Sequence, residues 1–303
     1  MVAVRVVERW LGILRPSRLE PGSTLWYFRR DRIAVISLIF ILFVVLAALL
    51  APWLTPYAGE GRGVPNIVNK LLPPSPDHPF GADPLGRDIL ARVLFGARTS
   101  LLAGLSIVGV SVGVGVVLGA LAGYFGGWVD ELIMRITDVF LAFPPLLLAM
   151  TVAAVLEPSL GNAILAISLT WWPWYTRLVR AQTMSVRERD YVKAARGMGV
   201  ADLTIIRRHI VPNVITPVLV QGTLDLGAAI LTVSALSFLG LGVPPPVADW
   251  GGMVREGRTY MQSGRWWIGT FPGLALFLTT MAFNLLGDGV QVVTNPRARG
   301  EQA

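Results

Sequence analysis

The chain has no cysteine in 303 residues, which excludes disulfides and thiolate metal sites. Its only two histidines, His78 and His209, are far apart, so a histidine metal cage is improbable on ligand number alone. No H-E-x-x-H occurs and nothing reads as a nucleophile elbow on a strand-to-helix turn. Charge is scarce too, at 15% Asp, Glu, Lys and Arg. A soluble domain carries about a quarter, so the deficit argues against a water-soluble globule.

Apolar residues make up 53% of the chain, with 32 Gly and 21 Pro, both commoner in membrane helices than in soluble ones. Apolar runs near the bilayer-spanning length of about 20 residues recur. They predict an all-α integral membrane protein with six transmembrane helices, at Ile33–Leu54, Ser100–Tyr124, Leu132–Leu156, Ala163–Leu178, Ile215–Leu241 and Trp267–Val290. The first run is too long for a signal-peptide core and reads as an uncleaved anchor. The division that follows is a tail at 1–32, a first span and loop at 33–98, a five-span core at 99–290 and a tail at 291–303.

The net charge of +7 does not mark a nucleic-acid binder, because the basic residues sort by loop. Residues 1–32 carry 7 Arg against 3 acids, and 177–214 carry 8 basic residues against 3 acids. Residues 55–98 and 243–266 are nearly balanced, at 5 against 4 and 3 against 2. Excess Lys and Arg stay inside, so both termini and the 177–214 loop are expected in the cytoplasm of a cell-membrane protein. Arg5, Arg9 and Arg15 oppose Val6, Trp10 and Leu14, the pattern of an interfacial amphipathic helix or of a poorly ordered tail.

Two glycine patterns invite nucleotide readings. In FGADPLGRDIL, Phe80–Leu90, four residues separate Gly81 from Gly86, as in a P-loop. Arg87 and Asp88 occupy the Lys and Ser/Thr places, no apolar strand precedes, and the loop is expected outside. From Asp88 onward, Ile89, Val93 and Ala97 share a helical face with Arg92 on another, which predicts a short external interfacial helix carrying Arg87, Asp88 and Arg92. In Gly113–Gly119 the glycines miss the dinucleotide spacing. Ser111, Gly115, Gly119 and Gly123 instead recur every fourth residue, a small-residue face for close helix packing.

The most informative polar stretch is Ser185–Asn213. Ser185 and Glu188 form a capping-box pattern, Tyr191, Ala194, Ala195 and Met198 share a helical spacing, and Gly199 suits a left-handed stop. Asp202 is expected to cap a second short helix with Leu203, Ile206 and Ile210 on its apolar face, and Pro212 to end it. A helix-turn-helix of this kind is stiff enough to transmit force.

Residues 190–212 resemble the cytoplasmic E-A-A loop of permease subunits of ATP-binding-cassette importers, with Ala194, Ala195, Gly199 and Pro212 in register. Lys193 stands where the family has Glu. HPFGADPLGRDILARVLFGARTSL (78–101), GYFGGWVDELIMRITDVFLAFP (123–144), WPWYTRLVR, LSFLGLGVPPP and FPGLALFLTTMAFNLLGDGV are similar to the second-permease, or C, type of the dipeptide/oligopeptide/nickel branch. The likeness covers about residues 26–297; Val233, where many relatives carry Glu, is a second departure.

The resemblance implies a transport subunit rather than an enzyme. Its implied partners are a second permease chain, two ATPase subunits and an extracytoplasmic solute-binding protein. It implies a docking role toward the ATPase for Asp190, Tyr191, Lys193, Ala194, Ala195, Gly199, His209 and Pro212. No cofactor is expected in this chain, with ATP and Mg in the partners, and the substrate is a peptide, nickel chelate or oligosaccharide.

Charges within the spans are costly and need protein or water around them. Asp225 is either a translocation-path contact or an interhelical hydrogen-bonding group, with Gln221 as a candidate partner. Asp138, Ser234 and the Pro144 kink are further candidates for the path. The rival reading is an ion-coupled secondary transporter using such carboxylates, which needs no docking loop.

Overall fold

The computed structural model describes residues 28–294. The amphipathic pattern at 5–15 and nearly all of the C-terminal tail lie outside them. Regular structure among the described residues is helical, with one isolated bridge between Ala82 and Asp88.

Helix α1, Arg32–Leu54, is capped by Asp31, whose Oδ1 accepts from the Ala34 amide at 3.0 Å. Pro52 lies inside it and cannot donate to the Ala48 carbonyl. Arg98 from the next helix supplies that missing donor through Nε to Ala48 O, and its Nη2 also donates to Leu49 O. That next helix, α2, runs unbroken through Ile89–Phe125. Its 37 residues make it about 55 Å long, well beyond the roughly 30 Å of a bilayer core. The short interfacial helix expected before Ser100 is therefore not separate. Ile89, Ala97 and Leu101 are all buried in one core cluster, so the same apolar face continues in phase and nothing stops the helix.

α3 (Gly127–Leu141) and α4 (Pro145–Val155) divide the third expected span with an 85° bend. Pro144 caps α4 and Pro145 opens it, where a missing amide costs nothing. α5, Leu160–Arg187, starts at the Ser159 cap and continues past Leu178. The capping box expected at Ser185 does not form, because Val186 is buried and keeps the chain helical; Glu188 ends α5 instead. α2 and α5 meet along the predicted small-residue face. A Cβ at Gly115 would stand 2.3 Å from Tyr175 Cβ, and one at Gly119 2.6 Å from the Thr176 carbonyl. The pattern Gly109–Gly113 also spells G-x-S-x-G, but Ser111 is buried mid-helix and forms no elbow.

α6 is Asp190–Gly197 and α7 is Asp202–Phe238. α7 is continuous, correcting the expectation that Pro212 ends a short helix. A wide turn at Ile206–Ile210, closed by Val211 N–H donating to Ile206 O, precedes the proline. Asn213 Nδ2 donates to His209 O, a helical carbonyl beside the proline. α8, Trp250–Met261, is capped by Asp249, and α9 is Trp267–Thr294.

Among the described residues four helices, α1, α2, α7 and α9, are long and apolar enough to cross a membrane, or five spans if the bent α3–α4 pair counts as one. The fourth expected span falls within α5, whose 28 residues include Arg177, Arg180 and Arg187.

Candidate functional site

At the N-terminal end of α2, FGADPLGRDIL folds into a tight turn. Asp83 Oδ1 accepts from the amides of Leu85 at 2.7 Å and Arg87 at 3.0 Å, an Asx-type turn. Gly86 closes it at φ +76°, and a Cβ there would fall 1.6 Å from the Asn66 carbonyl oxygen. The amides of Gly81 and Gly86 donate to His78 O and Asp83 O, so neither points into a phosphate cradle. Burial orders the charges. Asp83 is 0% exposed, Arg87 2% and Arg92 3%, and Asp83 Oδ2 accepts from Arg87 Nε and Arg92 Nη1 at 2.6 Å each. Glu256 of α8, with its side chain 27% exposed, accepts from Arg92 through both oxygens, at 2.5 and 3.2 Å, and from Arg87 at 3.4 Å.

Asp88 caps α2 through the Ala91 amide at 2.7 Å and lies 2.9 Å from His78 Nδ1. Its own amide donates to Glu60 Oε2 at 2.7 Å, and Tyr57 stacks on the His78 ring. Burial pushes the Asp88 carboxyl above its ordinary value, outweighing the Ala91 and His78 hydrogen bonds that lower it. Arg87, Asp88 and Arg92 are thus buried clasp residues rather than an interfacial helix face. Sequence reasoning missed Glu60, His78, Asp83 and Glu256 in this role. D-P-x-G is a readable turn signal, but 164 residues separate Glu256 from Arg92 and no local pattern joins them.

The C-terminal end of α2 meets the α6–α7 turn. From Arg92 to Tyr124 along one helix is about 48 Å, so the clasp and this turn lie at opposite ends of the molecule. α6 ends in a two-bond cap: Val200 N–H donates to Ala195 O at 3.2 Å and Gly199 N–H to Arg196 O at 3.0 Å. Gly199 has φ +75°, the left-handed conformation this cap demands. Val192 and Ala195 face the core, whereas Tyr191, Ala194 and Met198 are exposed; of the second expected face, Ile206 and Ile210 are buried but Leu203 is exposed. Asp190 opens α6, and Lys193 Nζ sits 3.2 Å from Glu188, whose carboxyl Lys193 and Arg187 pull below its usual range. The Tyr191 and His209 rings lie 6.2 Å apart across the turn, and Pro212 is exposed just beyond. Tyr124, missed by sequence reasoning, ties the turn to α2: its hydroxyl donates to Asp202 Oδ1 at 2.5 Å and its ring lies beneath Arg196. Arg187 donates to the Gly123 and Tyr124 carbonyls.

The four candidate path residues do not converge. Asp225 accepts from Tyr175 OH at 2.5 Å and Gln221 Nε2 at 3.0 Å, within the α5–α7 contact. Ser234 is buried against Gly251 of α8. Pro144 is exposed at the α3–α4 bend, and Asp138 pairs with Arg177 of α5 at 2.5 Å. No group of three or more His, Cys, Asp or Glu suited to a metal ion occurs among the described residues.

Residues 115–300 match the family described as binding-protein-dependent transport system inner membrane component. Residues 22–74 match the N-terminal TM domain of oligopeptide transport permease C. The chain is 41% identical over 289 residues to the probable D,D-dipeptide transport system permease protein DdpC of Escherichia coli K12, covering 95% of this chain and 96% of that protein. It is 41% identical to the dipeptide transport system permease protein DppC of Alkalihalophilus pseudofirmus, over 89% and 88% of the two chains. The same identity, 41%, holds for the glutathione transport system permease protein GsiD of Escherichia coli O6:K15:H31, over 96% and 95%. The chain therefore belongs to the binding-protein-dependent transport system inner membrane components, as a multi-pass permease subunit of the oligopeptide permease C type.

Proposed function

We propose that this chain is one of two homologous permeases in an ATP-driven importer of di- and oligopeptides. Two ATPase subunits, which bind ATP and Mg, dock at residues 185–213, and a solute-binding protein delivers peptide on the opposite face. The chain crosses the membrane six times with both termini cytoplasmic, α5 and the bent α3–α4 pair completing the four most apolar helices. Relatives named for dipeptide and glutathione transport support a peptide substrate over a nickel chelate or an oligosaccharide.

The observation that carries this reading is mechanical. α6 presents Tyr191, Ala194 and Met198 outward, and the stiff Gly199 cap joins it directly to the unbroken helix Asp202–Phe238. A displacement of α6 by an ATPase therefore passes into a membrane helix without a slack linker. Alternating access follows when the ATPase pair closes and opens.

The test is Gly199→Val in the assembled complex. A β-branched residue in the left-handed region costs on the order of 1–3 kcal/mol, although space around the position is free. Import per ATP hydrolysed should fall several-fold with assembly intact, while Gly199→Asn, which tolerates that conformation, should retain most of it. Unchanged transport in Gly199→Val removes the coupling role. Failure to co-purify with any ATPase chain would favour an ion-coupled transporter.

A further inference from the structure

α3 carries a charged stripe that does not face the protein core. Glu131, Arg135 and Asp138 recur at i, i+4 and i+7, on one face of the helix. Their side chains are 69%, 77% and 53% exposed. Thr137, about 120° around the axis from the stripe, is fully buried. A second exposed stripe, Leu132, Ile136 and Val139, lies about 100° around the axis and is wholly apolar. The two stripes therefore suit different media.

The stripe has a defined depth. Asp138 is about 16 Å along the axis from the start of α3 at Gly127. Just beyond it Phe140 makes an edge contact with Trp172 of α5, ring centroids 5.4 Å apart, and the chain then breaks at Pro144. At this level Asp138 pairs with Arg177, which is 49% exposed. Hydrocarbon does not suit such a half-exposed ion pair, so water, a charged ligand or a second permease chain has to meet it.

We propose that Glu131, Arg135, Asp138 and Arg177 line a water-filled half-channel, and that the Asp138–Arg177 pair at its inner end receives the charged termini of a free peptide. This rests on the peptide-import reading above. The peptide ammonium takes Asp138 and its carboxylate takes the guanidinium fork of Arg177. The exchange replaces one neutral pair by two, so no net charge is moved into the membrane. A dipeptide, spanning about 7 Å, fits by rotamer opening of two solvent-reaching side chains.

The absence of cysteine makes the test direct. In the full complex in vesicles, Arg135→Cys and Asp138→Cys should react with a membrane-impermeant, charged methanethiosulfonate. Arg177→Gln should lower import of a free dipeptide by about tenfold to a hundredfold, the weight of one charge-assisted hydrogen bond. Import of the C-amidated dipeptide should change little, collapsing the preference between the two. The binding protein is the same in both complexes and cancels from that comparison. If Arg177→Gln does not assemble, Arg177→Lys, which keeps the charge but loses the fork, should give an intermediate preference. Lack of labelling at both cysteines, or an unaltered preference, overturns the proposal. A wild-type complex that imports no peptide would instead overturn the peptide reading, while labelling would still report the aqueous face.

Discussion

Replacing Asp83 by Asn tests whether the α2 clasp is structural. Asp83 is fully buried and provides both the turn acceptor and a counter-charge to two buried guanidinium groups. The amide keeps the shape, and its carbonyl can still serve the Leu85 and Arg87 amides. Its NH2 group then meets Arg87 Nε and Arg92 Nη1, donor against donors. Glu256 remains as the neighbouring acid, and it is partly in solvent. Removing one partner of a buried ion pair costs about 3–5 kcal/mol, because the surviving charge stays desolvated. Glu256→Gln leaves both arginines paired to Asp83 and should cost only about 1–2 kcal/mol.

The assay is thermal unfolding of the purified complex followed by tryptophan fluorescence. Asp83→Asn should lower the midpoint by on the order of 10 °C and Glu256→Gln by clearly less. Adding Arg92→Met to Asp83→Asn should cost less than Arg92→Met does alone, since a stranded charge is removed. Nucleotide affinity of the complex should be unaltered in every variant. An Asp83→Asn midpoint equal to wild type, or one milder than Glu256→Gln, refutes the clasp. Loss of nucleotide binding with the fold intact would revive the phosphate-loop reading.

Gly119→Ala places a methyl 2.6 Å from the Thr176 carbonyl and should cost about 1–3 kcal/mol in complex stability, whereas Gly113→Ala meets nothing within 4 Å and should be neutral or better. Asp88 supplies a pH prediction. Its pKa is raised above 3.8 by burial, so its favourable contribution is full below that value and lost as pH rises through the raised one. As pH rises from about 4, the midpoint of Asp88→Asn, still a good cap, should therefore gain on that of the wild type. Tyr124→Phe removes the 2.5 Å bond to Asp202 and should reduce import per ATP while leaving the assembled complex intact, as read by paired uptake and hydrolysis assays.

Much of the helical layout was readable because apolar runs and small-residue spacing are local signals. The Gly115–Gly119–Gly123 face and the Gly199 stop emerge where the spacing puts them. Pro212 misled because a period of 3.6 cannot reveal a wide turn that absorbs a proline without ending the helix. α5 was hard to delimit for a different reason. Arg180 is paired with Asp130 through two 2.5 Å bonds and Arg177 with Asp138, so charges that count against a span are matched from α3. The clasp was least legible, since its halves come from residues 60–92 and from α8. Of the path candidates only Asp138 combines an exposed side chain with a cationic partner, Arg177. Asp225 has two internal donors, Tyr175 and Gln221, and so is satisfied within the α5–α7 contact.

The length of α2 gives the proposed mechanism its geometry. A helix about 55 Å long cannot be hidden in a bilayer core of about 30 Å, so both of its ends engage protein outside that core. One end is held by Arg92 to Glu256 of α8, the other by Tyr124 to Asp202 at the head of α7. Between them the glycine face locks α2 to α5 with no room for a methyl group. On the proposed reading, force applied at α6 therefore has two routes, directly into α7 and through Tyr124 into the α2–α5 pair. Because α5 carries Arg177, the second route moves one half of the Asp138–Arg177 pair. α3 is joined to α2 through Gly126 and Gly127, which have no side chain to pack and φ values of +67° and +54°. Asp130, in the first turn of α3, is held to Arg180 of α5, so on the proposed reading movement of α5 carries the start of α3 with it and strains the Asp138–Arg177 pair only beyond that hold. Opening of the ion pair and displacement of the docking helix would then be one motion, which places peptide capture and ATPase closure on the same coordinate.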